Sequence, residues 1–172
     1  MKVDDQAIFK VRLFREDLNF SAGHISIYGG SIEGHHGHNY GISVEIEGPL
    51  NQDSLVIDFR AVKKVLKSIK AQMNHRTIVP RLHPSLEIKA TGKSIRIRFR
   101  DEQLEFPTRD VVLLDVANVT SELLAYYIYQ SLCERLRTPD LNDLRSLTVE
   151  VVESPGQCAS FSGPLNGVSA KE

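Results

Sequence analysis

The chain has no tryptophan, only two methionines and only two cysteines in 172 residues. Cys133 and Cys158 form no disulfide framework and lack metal-type spacing, so any metal chemistry must rest on histidine and carboxylate. Charge of one sign is also missing. Lys and Arg number 21 against 22 Asp and Glu, a net charge of -1. That balance removes the general electrostatic reason to expect nucleic acid or an acidic membrane as partner. No apolar run approaches the roughly 20 residues of a membrane span. The N-terminal stretch MKVDDQAIFK has no apolar segment of signal-peptide type, so a cytoplasmic location is expected. With 41% hydrophobic and 25% charged residues the chain is unlike a disordered one, and its length suits one domain over 1–172 with a real core.

What the sequence does have is clustered histidine. Four of its six histidines lie between residues 24 and 38. His24 closes the run FSAGH, and His36 and His38 stand in SIEGHHGHNY with Glu33 three residues before the pair. Residues two apart on a strand point to one face, so His36 and His38 form a pincer. They share the even register of Tyr40, Ile42, Val44 and Ile46, while Ser43, Glu45 and Glu47 alternate outward. A third imidazole from a neighbouring strand would give three protein ligands and one open position, the arrangement of a catalytic zinc site. His24 is that candidate. His35 falls on the opposite face.

Phe9, Val11 and Leu13 mark a first strand that continues past a bulge near Asp17 to His24. Asp58 is an N-cap for a helix with Val62, Val65, Leu66, Ile69 and Met73 at helical spacing. A second helix opens near Thr120 and carries Leu124, Ile128, Leu132 and Leu136 on one stripe. Residues 84–106 read as an inserted hairpin turning at Thr91-Gly92. The basic alternation of Arg96, Arg98 and Arg100 in that hairpin reads as a solvated strand face. Leu147, Val149 and Val151 form the last strand, and the Ser-, Gly- and Pro-containing tail from Ser154 is expected to be irregular. The pattern predicts an α+β domain with two helices on one face of an antiparallel sheet.

Glu153 continues the odd register of Leu147, Val149 and Val151. It is either a carboxylate that needs a partner, such as the amidine-like edge of a pterin or guanine, or a strand-end glutamate turned to solvent. Thr120-Ser121-Glu122 offers a helix N-terminus, which attracts acceptors and is equally an ordinary cap. His75, in Met73-Asn74-His75-Arg76, follows the first helix.

Taken in order, FSAGH at 20–24, HGHNY at 36–40, VIDF at 56–59, MNHR at 73–76, VTSE at 119–122 and VVES at 151–154 resemble the 6-pyruvoyltetrahydropterin synthase family, which includes the 6-carboxytetrahydropterin synthases. The resemblance implies a tunnelling fold, with a four-stranded antiparallel sheet and two helices assembling as a homotrimer or homohexamer. It also implies zinc on His24, His36 and His38, and a small-molecule pterin anchored by Glu153 and Thr120, Ser121 and Glu122 at a subunit interface. Two departures stand out. Family members that make pyruvoyl- or carboxy-tetrahydropterin carry a cysteine shortly before HGH, whereas this chain has Glu33 in ExxHGH. That spacing is similar to the class that cleaves the dihydroneopterin side chain to 6-hydroxymethyl-7,8-dihydropterin, with Glu33 and His75 as its catalytic pair. Asn74 also replaces the usual aspartate before His75. The alternatives are 6-pyruvoyl- or 6-carboxy-tetrahydropterin synthase activity, or a pterin- or purine-binding protein without catalysis.

Overall fold

The computed structural model describes residues 4, 6–136 and 138–165. Its strands are β1 (Phe9–Phe14), β2 (Phe20–His24), β3 (Ile27–Tyr28), β4 (Ser31–Ile32) and β5 (His36–Gly48). Helix α1 (Phe59–Met73) follows, then β6 (Arg76–Pro80), β7 (Glu87–Ala90), β8 (Ser94–Phe99), β9 (Glu102–Pro107) and β10 (Val111–Leu114). Helix α2 (Ser121–Arg135), β11 (Ser146–Ser154) and β12 (Gln157–Gly163) complete the chain.

The main sheet runs β10-β6-β2-β5-β11-β12, with β1 also paired to β5. β1 and β2 are two halves of one bent strand along β5. The expected bulge near Asp17 is a 3-10 turn, Glu16–Leu18, that drives Leu18 fully into the core. β1/β2, β5, β11 and β12 therefore make the antiparallel four-stranded unit of an α+β tunnelling fold. The sheet is wider than four strands, because β6 joins β2 in parallel and β10 joins β6 in parallel. Both added strands are short, five and four residues, and apolar from Ile78 and from Val111 onward, so they show little polar–apolar alternation to read.

α1 and α2 cover one face. Asp58 Oδ1 accepts from Arg60 N at 2.8 Å and Thr120 Oγ1 from Leu123 N at 3.3 Å, so both expected caps are present. Val62, Leu66, Ile69 and Met73 of α1, with Leu124, Ile128 and Leu132 of α2, pack on Val44, Ile46, Leu147, Val149 and Val151. The opposite face is polar: Lys10 pairs with Glu45 and Glu47, and Arg12 with Glu150. Such exposed pairs add little stability individually.

Two expectations fail in detail. The insert is a three-stranded sheet, β7-β8-β9, rather than a hairpin. Ile95, Ile97 and Phe99 are buried on one of its faces, and a second core joins Ile95 and Ile97 to Ile25, Val79 and Val111. On its outer face Arg96 pairs with Glu105 and Arg98 with Glu87, which accounts for the basic alternation, while Arg100 lies over the Phe99 ring. The tail is not irregular either. Residues 157–163 form β12, with Phe161 edge-on to Tyr126 and Tyr129 of α2. Residues 166–172 of that tail lie outside the described residues.

Candidate active site

β2 and β5 set the candidate metal ligands. Their antiparallel register places His24 opposite His36 and Ala22 opposite His38. The three imidazoles therefore converge, each offering a nitrogen within 4.8 Å of the others. His24 Nε2 lies 3.1 Å from His36 Nε2. The outer nitrogens of these two rings face carbonyls: His24 Nδ1 is 3.2 Å from Val119 O, and His36 Nδ1 is 2.7 Å from Gly34 O. A carbonyl can only accept, so each Nδ1 carries the proton and each Nε2 lone pair is turned inward, as a divalent metal requires. Burial lowers the His24 pKa below 6.5 against the opposing pull of the Val119 carbonyl, and its histidine neighbours lower it further. A neutral imidazole is the ligating form. The donor set of three nitrogens with one side open fits zinc.

The glycine between the pincer residues is part of this geometry. A Cβ on Gly37 would lie 2.6 Å from Ala22 O, so only glycine lets β5 approach β2 this closely.

Glu153 is half-buried beside the trio. β11 shifts register against β12 between Val152 and Ser154, and Glu153 is the extra residue there. A bulge of this kind re-aims a side chain. One carboxylate oxygen stands 3.2 Å from His38 Nε2, and the other accepts from Ser121 Oγ at 3.1 Å. Ser121 is buried at the first turn of α2, so the helix N-terminus and the β11 carboxylate are tied together. Tyr40, 1% exposed, packs its ring edge-on against His38 and His24 at 5.5 and 6.3 Å between centroids. Its hydroxyl pKa is raised, first by burial and then by the charges of Glu153 and Glu33.

A cleft of about 540 Å³ opens beside the histidines, lined by His24, His36, His38, Glu33, Thr120, Ser121, Glu122 and Glu153. Glu33 enters from the loop after β4, where its N–H donates to Ser26 O at 2.9 Å. His75 is elsewhere. It lines a second cleft of about 390 Å³ with Ser21, His35, Asn39, Arg76 and Asp110, so within one chain it is not paired with Glu33. His75 holds a left-handed φ of 61° and donates its N–H to Ser21 O at 2.7 Å. Asn74 uses its side-chain oxygen to accept from Ser21 N at 3.0 Å, which gives it a structural partner in place of an imidazolium.

The 6-pyruvoyl tetrahydropterin synthase family profile matches residues 13–164. The chain belongs to that family. A protein of Methanocaldococcus jannaschii, provisionally named a 6-carboxy-5,6,7,8-tetrahydropterin synthase, is 30% identical over 146 residues, covering 84% of this chain and 89% of its own. The 6-pyruvoyl tetrahydropterin synthase of Plasmodium vivax superposes with a TM-score of 0.87 at 28% identity, over 92% of this chain and 99% of its own. Two further P. vivax structures, each at 27% identity and a TM-score of 0.86 over 92% of this chain and 99% of theirs, carry alanine or cysteine in place of a catalytic glutamate. No described helix is long and apolar enough to cross a membrane.

The site of this chain includes supporting residues that carry no signature in the sequence. The Val119 carbonyl has no side-chain signature. Gly156 of the β11–β12 turn and Gln157, Cys158 and Ala159 of β12 line the cleft, in a stretch that reads as a loop. Tyr40 was visible only as one more apolar position of β5.

Proposed function

We propose that this chain is a zinc-dependent lyase that cleaves the side chain of 7,8-dihydroneopterin or its triphosphate to give 6-hydroxymethyl-7,8-dihydropterin. The observation that carries the reading is that Glu33 shares one cleft with His24, His36, His38 and Glu153. The P. vivax enzymes with a replaced catalytic glutamate support a carboxylate as the reacting group in this family.

Glu153, an acceptor-only group, takes the N3–H and 2-amino protons of the pterin edge, and Ser121 keeps it oriented. Thr120, Ser121 and Glu122 border the ring at the N-terminus of α2. His24, His36 and His38 would hold zinc, which when bound would supply Lewis acidity toward the side-chain hydroxyls. Glu33 is the general base that removes the proton of the second side-chain hydroxyl. The bond between the first and second side-chain carbons then breaks. Its electron pair moves into the conjugated ring, and a two-carbon aldehyde leaves. The first carbon regains a proton and remains as the hydroxymethyl group. His75 protonates or orients the departing fragment, and it does so from a neighbouring chain of a homotrimer or homohexamer, since its own chain holds it in a different cleft. The enzyme works in the cytoplasm.

The archaeal relatives favour a second reading, 6-carboxytetrahydropterin synthase activity. A turnover assay with 7,8-dihydroneopterin and its triphosphate separates the two by product. Glu33→Gln is expected to lower turnover on the order of 100- to 10,000-fold while zinc and pterin binding stay near wild type. Undiminished turnover in that variant would remove Glu33 from the chemistry.

A further inference from the structure

We propose that Asn118 is a positioning residue that locks the Glu33 loop and the outer partner of His24 into one frame. The inference rests on the reading of His24 as a ligand and Glu33 as the base.

Asn118 lies just before α2, half-buried. Its Nδ2 donates to Ile27 O at 2.8 Å, and its Oδ1 accepts from Ile27 N at 3.0 Å. The same Oδ1 accepts from Val119 N at 3.0 Å. Two N–H groups pointing at one atom fix which end of the amide is oxygen. Only a primary amide of this length both donates to and accepts from one backbone residue. Aspartate has no donor, and serine is too short.

Both ends of this clamp lead into the cleft. On one side Ile27 pairs with Ile32 in the β3–β4 hairpin, and Glu33 follows directly, its N–H on Ser26 O. The hairpin turns through Gly29 and Gly30 at φ 58° and 80°, a tight two-residue connection. On the other side Val119 presents the carbonyl that orients His24 Nδ1. One side chain therefore sets the base relative to the ligand shell. Partners of this outer kind tune metal affinity by about 10- to 100-fold, and misplacing a catalytic group by about 1 Å can cost on the order of 100-fold in rate.

The test compares wild type, Asn118→Ala and Asn118→Asp in the full-length protein. Zinc affinity is measured by competition with a chromogenic chelator, and kcat and KM for 7,8-dihydroneopterin at saturating zinc. Asn118→Ala is expected to bind zinc at least tenfold more weakly and to lose at least tenfold in kcat with KM within about threefold. Asn118→Asp keeps both acceptor bonds and loses the donor to Ile27 O. It should hold zinc within about threefold of wild type yet lose about tenfold in kcat. Leu104→Ala, which thins the insert's core, should lower Tm without moving zinc affinity. Wild-type zinc affinity in Asn118→Ala, or wild-type kcat in Asn118→Asp, overturns the proposal. If Asn118→Ala does not fold, the Asn118→Asp arm decides. If wild type turns over no dihydroneopterin, the pterin reading fails, and the zinc affinities of the two variants still test the clamp.

Discussion

Gly37→Ala is the smallest change expected to dismantle the metal site. The added methyl carbon would sit 2.6 Å from Ala22 O and 3.1 Å from Ala22 C and Gly23 Cα, all backbone of β2. Ordinary contact begins near 3.4 Å, so β5 must retreat by about 0.8 Å at this point. The obstacle is main chain in a paired strand, and no rotamer change relieves it. Overpacking of this kind costs about 1–3 kcal/mol, which for a domain of this size lowers Tm by about 3–10 °C. The same retreat separates His36 and His38 from His24 across the β2–β5 pair. Zinc sites hold their ligand distances within about 0.2 Å, so a displacement several times larger should weaken zinc at least tenfold, or 1.4 kcal/mol. The assay is chelator competition with a thermal melt in parallel. Gly34→Ala is the matched control, because a Cβ there meets nothing within 4 Å. Zinc affinity within twofold of wild type in Gly37→Ala would refute the claim that strand approach at this glycine builds the site.

Other outcomes follow from the same geometry. Glu153→Gln replaces an acceptor-only group with one that turns donors toward the pterin's own N–H groups. Calorimetry should show pterin affinity falling about 10- to 100-fold, the range for one unmatched buried polar pair, and an unchanged value would take Glu153 out of the site. β1 and β12 each have one edge unpaired among the described residues, and closing a barrel with neighbouring chains would cover both. Sedimentation at micromolar concentration should therefore give a trimer or hexamer, and a monomer would contradict the shared site. If His75 acts on the neighbour's cleft, subunits of His75→Ala and Glu33→Gln, each inactive alone, should recover about one quarter of wild-type turnover when unfolded and refolded together in equal amounts. No recovery would place both residues in one chain's chemistry or remove His75 from it.

The convergence of the three histidines was legible because it depends on strand periodicity and on residue types with few other uses in such density. His36 and His38 needed only a period of two, and His24 needed only that FSAGH be a neighbouring strand. The two helices were legible for a similar reason, with caps at Asp58 and Thr120 and uninterrupted stripes behind them. β6 and β10 were not, since RTIVP and VVLL are too short, and their apolar parts too unbroken, to separate from a loop's hydrophobic anchor. β12 was hidden for the opposite reason. QCASFSG is mostly small and polar because it lies at a sheet edge, half-exposed, with Phe161 its one large side chain against α2.

Glu153 shows where pattern reading and geometry part company. Its inward direction follows from the odd register of β11, yet a strict alternation would have paired it in the ladder with β12. The structure instead places a register shift at this residue, and the loop joining β11 to β12 turns through Gly156 at φ 84°. The shift frees the carboxylate to bridge His38 on β5 and Ser121 on α2, two elements that share no sequence pattern. A one-residue irregularity thus joins the ligand strand to the helix N-terminus. Asn118 does the same for the Glu33 hairpin, through hydrogen bonds to backbone that no periodicity reveals. The chemistry-bearing side chains announce themselves by type. The residues that aim them are ordinary in composition, and only their partners identify them.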